Sequence, residues 1–237
     1  MTQAIATEAS VVKVRVWRGK EQGEYQAYEV PRQPSQTVLD IVTYIQREID
    51  PSLSYRFACR VGVCGSCAMV VNGQARWTCR THVDKVAQDG EIEIAPLRNL
   101  PVVKDLVTDM APFFDKWAKA KGQFQGDTTR HDEFARVEPE SKQRQAVDLA
   151  IECIGCGVCY SSCDVVSWRP DYLGPAALNR AWTLMNDVRD TGKEDRLEAV
   201  GNDAGCLACH THTSCTELCP KQLSPTASIA GLKRMVR

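Results

Sequence analysis

Cys153 to Cys163 reads "CIGCGVCYSSC". The spacing C-x2-C-x2-C-x3-C is that of a run whose first three cysteines hold one four-iron cluster while the fourth ligates the other cluster of a pair. One such run is incomplete alone, and Cys209 to Pro220, "CHTHTSCTELCP", supplies its partner. Aligned on Cys219-Pro220, the ligand positions fall at 209, 212, 215 and 219, and only position 212 departs, with histidine for cysteine. Exchange of fourth ligands groups Cys153, Cys156, Cys159 and Cys219 around a 4Fe-4S cluster. It leaves Cys163, Cys209 and Cys215, three thiolates that suit a cluster lacking one iron, 3Fe-4S. Two alternatives stay open: His212 as ligand to a fourth iron, or a rearranged Cys206 in that role. In the three-iron reading Cys206 is a buried spectator, because a free cysteine behaves as a small hydrophobe.

Upstream, Cys59, Cys64, Cys67 and Cys79 are spaced C-x4-C-x2-C-x11-C, the plant-type 2Fe-2S pattern. In "CRVGVCGSC", Gly62 and Gly65 let the backbone wrap closely and aim N–H groups at the sulfurs, since glycine reaches conformations closed to other residues. Tetrahedral zinc takes cysteine pairs with longer spacers, and it is the weaker reading. The twelve cysteines fall entirely into three groups, the last of which begins at Cys206, three residues before Cys209. With no basic, apolar leader in "MTQAIATEASVVKV", the chain is expected in a reducing cytoplasm, where disulfides are rare and metal ligation is the better account of cysteine.

Secondary structure changes character along the chain. "VKVRVWR" (Val12–Arg18) and "EYQAYEV" (Glu24–Val30) alternate as half-buried strands do. "TVLDIVTYIQREI" puts Val38, Val42, Ile45 and Ile49 on one helical face, capped by Thr37 and stopped by Pro51. Asn72-Gly73 marks a hairpin between Ala68 and Thr78, and "EIEIA" is a last strand. Beyond Pro96 the spacing of Val103, Leu106, Met110, Phe114 and Trp117 reads as helix, kinked or divided by Pro112. A loop over Gly122–Arg130, a helix over Ser141–Ile151, and helices opening at Pro175 and at Ser224-Pro225 complete an all-helical half. The class is α+β, with the boundary near Asn99–Asp105: a domain over 1–104 and a second over 105–237.

Acids and bases nearly balance, 30 against 29, for a net charge of -1. That leaves no basic footprint for nucleic acid. The longest apolar runs, such as "CAMVV" (Cys67–Val71), fall far short of the roughly 20 residues that span a membrane, so membrane contact must come through a partner. Three cluster sites without an acid, base or nucleophile constellation describe a conductor of single electrons. His82 and His131 read as ordinary surface residues. The tail "KRMVR" reads as a solvated helix face, more weakly as a contact with an anchor subunit or lipid headgroups.

Four stretches in the same order, "RFACRVGVCGSCAMVVNG" (Arg56–Gly73), "LPVVKDLVTDMAPFFDKW" (Leu100–Trp117), the run at Cys153 and "CHTHTSCTELCPKQLSP" (Cys209–Pro225), resemble the iron-sulfur subunit of succinate dehydrogenase and fumarate reductase. The resemblance implies a β-grasp 2Fe-2S ferredoxin-like domain docked on a flavoprotein subunit with covalent FAD, where succinate and fumarate interconvert. It implies a helical ferredoxin domain docked on membrane anchor subunits, with or without haem, at the cytoplasmic face of a prokaryotic inner membrane. Electrons would run from flavin through 2Fe-2S, 4Fe-4S and 3Fe-4S to quinone. The family's quinone pocket uses a Trp and a His that match Trp168 and His210. Three departures stand out: Asp164 replaces a proline, His212 replaces an apolar residue, and Cys206 is extra. The first two fall near the expected pocket. Competing functions are a related flavoprotein complex acting on another hydroxy acid or dicarboxylate, and a soluble ferredoxin-type carrier.

Overall fold

The computed structural model describes residues 11–236. Residues 1–10, read above as part of a leader-free N-terminus, and Arg237 at the end of the basic tail lie outside the described residues. The chain forms two compact units, one of residues 11–97 with 101–108, the other of Arg98–Leu100 with 109–236.

In the first unit, β1 (Val11–Gly19) buries Val12, Val14 and Val16 on one side and pairs antiparallel with β2 (Gly23–Pro31). Helix α1 (Val38–Tyr44) starts at a capping box in which Thr37 and Asp40 satisfy each other's backbone N–H, leaving few orphan donors at its first turn. Its buried stripe is Val38, Ile41, Val42 and Ile45, and a wider π-turn follows over Ile45–Ile49. That turn carries Ile49 off the stripe to 45% exposure, against the sequence expectation. Strands β3 (Ala68–Val71) and β4 (Gln74–Trp77) close on Asn72 and Gly73, both at positive φ, as the favoured two-residue hairpin turn requires. After a short helix α2 (Val83–Val86), β5 (Glu91–Ala95) slots between β1, in parallel, and β3, antiparallel. The sheet order is β2-β1-β5-β3-β4. The valines of β1 pack with the α1 stripe, Met69 and Ile94 in one core, which is the β-grasp arrangement.

Residues 102–108 are not helical. β6 (Val102–Lys104) and β7 (Val107–Thr108) form a small antiparallel pair. Asp105, only 2% exposed, accepts from the amides of Gly19 (3.0 Å) and Ser54 (2.9 Å) and receives an ion pair from Arg18 (3.2 Å). These bonds outweigh the helical spacing of Val103 and Leu106, and Val103 is left exposed. The helix begins only at α3 (Ala111–Lys119), so Pro112 sits in its first turn, where it costs nothing, instead of kinking it.

The second unit is helical. Ser141 caps α4 (Lys142–Val147), but the helix ends early and continues as a 3-10 turn over Ala150–Glu152. Side chains of α7 (Pro175–Met185) take over the carbonyls released there: Asn179 donates to Ala150 O (2.9 Å) and Trp182 to Ala146 O (3.0 Å). Short helix α5 (Val158–Ser161) lies within the first cysteine run of this unit and carries Cys159, and α6 (Asp164–Trp168) follows it. Helix α8 (Lys193–Val200), the short α9 (Ser214–Glu217) and α10 (Pro225–Val236) complete it. Gly231 lets α10 lie against α7, because a Cβ there would stand 2.4 Å from the Trp182 ring. Arg196 of α8 and Asp190 form an ion pair that is fully buried on both sides.

Candidate iron-sulfur sites

The first group is drawn together by the loop before β3 and the turn after β4. Cys59 and Cys64 are half-buried, Cys67 and Cys79 buried. The amides of Val63 (3.3 Å), Cys64 (3.4 Å) and Val61 (3.5 Å) all donate to Cys59 Sγ. These donors, Val63 first, pull the Cys59 thiol down to about 6, since hydrogen bonds to the charged form favour it. Burial works the other way at Cys79 and pushes it up to about 12. The loop depends on Gly62 at φ +75, where a Cβ would meet the Trp77 ring at 2.7 Å and Arg80 Cγ at 3.1 Å. Arg60 also stands at positive φ, which the glycine pattern does not disclose.

In the helical unit two cavities take up the remaining groups. Cys153, Cys156, Cys159 and Cys219 line one, with Gly155, Gly157, Phe113 and Leu223 among its walls. Cys163, Cys209 and Cys215 line the other, together with His210 and His212. The runs therefore do exchange their last cysteines in space. Burial raises the thiols of Cys153, Cys156, Cys159, Cys163 and Cys215, that of Cys156 to about 12. Backbone amides two or three residues on oppose this, Gly155 at Cys153, Val158 at Cys156, and Val166 and Val165 at Cys163. Apolar walls, sulfur donors and convergent N–H groups are the chemistry an iron-sulfur cluster needs. Cys215 also acts electrostatically on Cys159, so the two cavities are neighbours. Cys206 is fully buried and lines neither.

Around the three-cysteine cavity stand groups that spacing alone does not reveal. Tyr172, 1% exposed, engages Cys209 with its hydroxyl, and burial pushes its phenol well above the usual range, holding it neutral. Thr226, in the first turn of α10, reaches Cys215 Sγ at 3.4 Å. Lys233 Nζ donates to Cys209 O at 2.7 Å and the residue is half-buried, so one residue of the basic tail is turned inward and is not simply part of a solvated face. His82 is half-buried and pairs through its backbone with Thr37, a structural position, whereas His131 is exposed. Trp168 is 61% exposed on α6. Its ring meets His212 edge-on at 5.9 Å, and His212 meets His210 at 6.1 Å. Among the described residues no helix is long and apolar enough to cross a membrane.

The chain matches a 2Fe-2S iron-sulfur cluster binding domain over residues 10–115 and a 4Fe-4S dicluster domain over residues 152–224. It is 37% identical over 213 residues to a fumarate reductase iron-sulfur subunit of Mycobacterium tuberculosis, covering 88% of this chain and 84% of that one. A succinate dehydrogenase iron-sulfur subunit of Paracoccus denitrificans is 38% identical over 200 residues, 84% of this chain and 76% of its own. Among solved structures, a chain of the Mycobacterium smegmatis Sdh1 complex in the apo form superposes with a TM-score of 0.86 at 29% identity, covering 96% of each chain.

Proposed function

The chain belongs to the family of iron-sulfur subunits of succinate dehydrogenase and fumarate reductase, and from that premise we propose that it carries electrons one at a time between the FAD of a flavoprotein subunit and a quinone. Cys59, Cys64, Cys67 and Cys79 would hold 2Fe-2S, Cys153, Cys156, Cys159 and Cys219 would hold 4Fe-4S, and Cys163, Cys209 and Cys215 would hold 3Fe-4S. Such clusters, when bound, each accept and release a single electron, which couples a two-electron flavin to a quinone.

The chain's own part is to set the surroundings. Peptide N–H groups converge on the Cys59 and Cys163 sulfurs and offset the negative charge that thiolates bring. Phe113 and Leu223 give the four-cysteine cavity apolar walls. Trp168 and His210, with Asp164 and His212 beside them, form the exposed edge of the three-cysteine site, where a quinone would be bound under membrane anchor subunits. The chain would then sit peripherally on the cytoplasmic face of the membrane.

The observation that carries this reading is the exchange of last cysteines between two neighbouring cavities, four in one and three in the other. Low-temperature EPR of the purified complex tests it. A three-iron signal in the oxidised sample that vanishes on mild reduction is expected. Silence when oxidised, with two interacting four-iron signals on reduction, would mean that His212 or Cys206 completes a second cubane.

A further inference from the structure

Asp164 and His212, the two departures from the family pattern near the expected pocket, touch each other. His212 Nδ1 lies 3.1 Å from Asp164 Oδ2 although the residues are 48 apart in sequence. In the tautomer whose Nδ1–H donates to the carboxylate, the neutral ring leaves Nε2 as an acceptor turned away from Asp164. The backbone flanking His212 is held in an unusual state: Thr211 and Thr213 have φ of +61 and +65. That region is costly for β-branched residues and persists where the surroundings enforce it, most often at functional sites. Stability does not account for the pair, because its side chains are 61% and 41% exposed and exposed ion pairs contribute little.

We infer that the pair presents the Nε2 acceptor of His212 to the O–H of a reduced, hydroxyl-bearing quinone-type ring at the mouth of the three-cysteine cavity, with Asp164 as the positioning residue. The inference rests on the quinone-side reading above. An apolar side chain at position 212 would meet both redox forms alike. An acceptor distinguishes them, since the oxidised ring offers only carbonyl oxygens, which would face Nε2 lone pair to lone pair. Trp168, edge-on to His212, supplies apolar surface for the ring itself.

The test uses two redox-inert probes, 4-nonylphenol and its methyl ether, titrated calorimetrically into the purified complex. Wild type should bind the phenol more tightly by roughly 3–10-fold, the worth of one hydrogen bond. The preference should vanish in His212→Leu, shrink in Asp164→Ala and survive in His212→Gln, whose amide oxygen still accepts, with the oxidised-state EPR signal unchanged in all three. An unchanged preference in His212→Leu overturns the inference, as does a wild type that is silent when oxidised and gains a three-iron EPR signal in that variant, which would make His212 an iron ligand. Failure of wild type to bind either probe while it still reduces a short-chain quinone overturns it too and leaves the quinone reading standing. A complex that reduces ferricyanide and no quinone removes both.

Discussion

Replacing Asp190 by alanine should unfold the helical unit far more easily than its size suggests. Asp190 and Arg196 are both wholly buried and bonded twice, at 2.7 and 3.1 Å. The other N–H groups of Arg196 reach Lys121 O at 2.9 Å and Gln123 O at 3.1 Å, and Asp190 also accepts from the amides of Gln125 and Gly192 at 3.0 Å each. Every polar atom of the pair is therefore engaged. Asp190→Ala strands a guanidinium inside the protein, worth about 3–5 kcal/mol, and orphans two amides. Because these losses share one network they do not simply add, and about 4 kcal/mol is a fair expectation. In a chain of this size that lowers the melting temperature by roughly 8–16 °C. The assay follows loss of visible cluster absorbance on heating at a fixed rate, for wild type, Asp190→Ala, and Asp190→Ala with Arg196→Met. The double variant should regain more than half of the loss, because it removes the stranded charge. A shift under about 2 °C in the single variant, or a double variant no better than the single, would refute the argument.

Gly62→Ala forces a side chain into a left-handed residue, at about 1–2 kcal/mol, and into the Trp77 ring at 2.7 Å. The 2Fe-2S EPR signal should be lost while the signals of the helical unit remain; full 2Fe-2S content would show that the loop has slack. Asp50 accepts from Ser52, Arg18 and Tyr28, and these bonds, Ser52 first, hold its carboxyl well below the usual carboxylate range. A folded-state value below the unfolded one stabilises above the unfolded value, about 4, and the contribution fades as pH falls below it. Denaturant midpoints of wild type and Asp50→Asn should differ most at pH 7 and converge below about pH 4; a constant gap would refute the assignment.

The grouping of the cysteines of the helical unit around two cavities was legible in their spacing, because a cluster fixes its donors in number and order, and few other chemistries use the same intervals. Strands β1 and β2 and the Asn72-Gly73 hairpin were legible for a similar reason: period-two burial and a positive-φ turn leave direct marks on the sequence. Residues 102–108 were misread because Val103 and Leu106 mimic a helical face, while the deciding bonds come from Asp105 to Gly19 and Ser54, distant in sequence. The same holds at the three-cysteine cavity. Tyr172 reaches it from the turn before α7, and Thr226 and Lys233 from α10, and no local pattern around them reports that convergence. Nor does either neighbourhood alone reveal that the Asp164 and His212 departures belong together.

The exchanged cysteines also constrain how the protein can be made. A nascent chain that has emerged only as far as Cys163 offers three of the four cysteines of one cavity and one of the three of the other. The three-cysteine wall lacks its last cysteine until Cys215 has left the ribosome, and the four-cysteine wall until Cys219 has. Metal loading in the helical half is thus expected to wait for the last group of cysteines, and until then a set of unshielded thiols is open to oxidation. A carrier that keeps those early thiols reduced and delivers iron and sulfide would meet a substrate whose donors arrive long before its walls do.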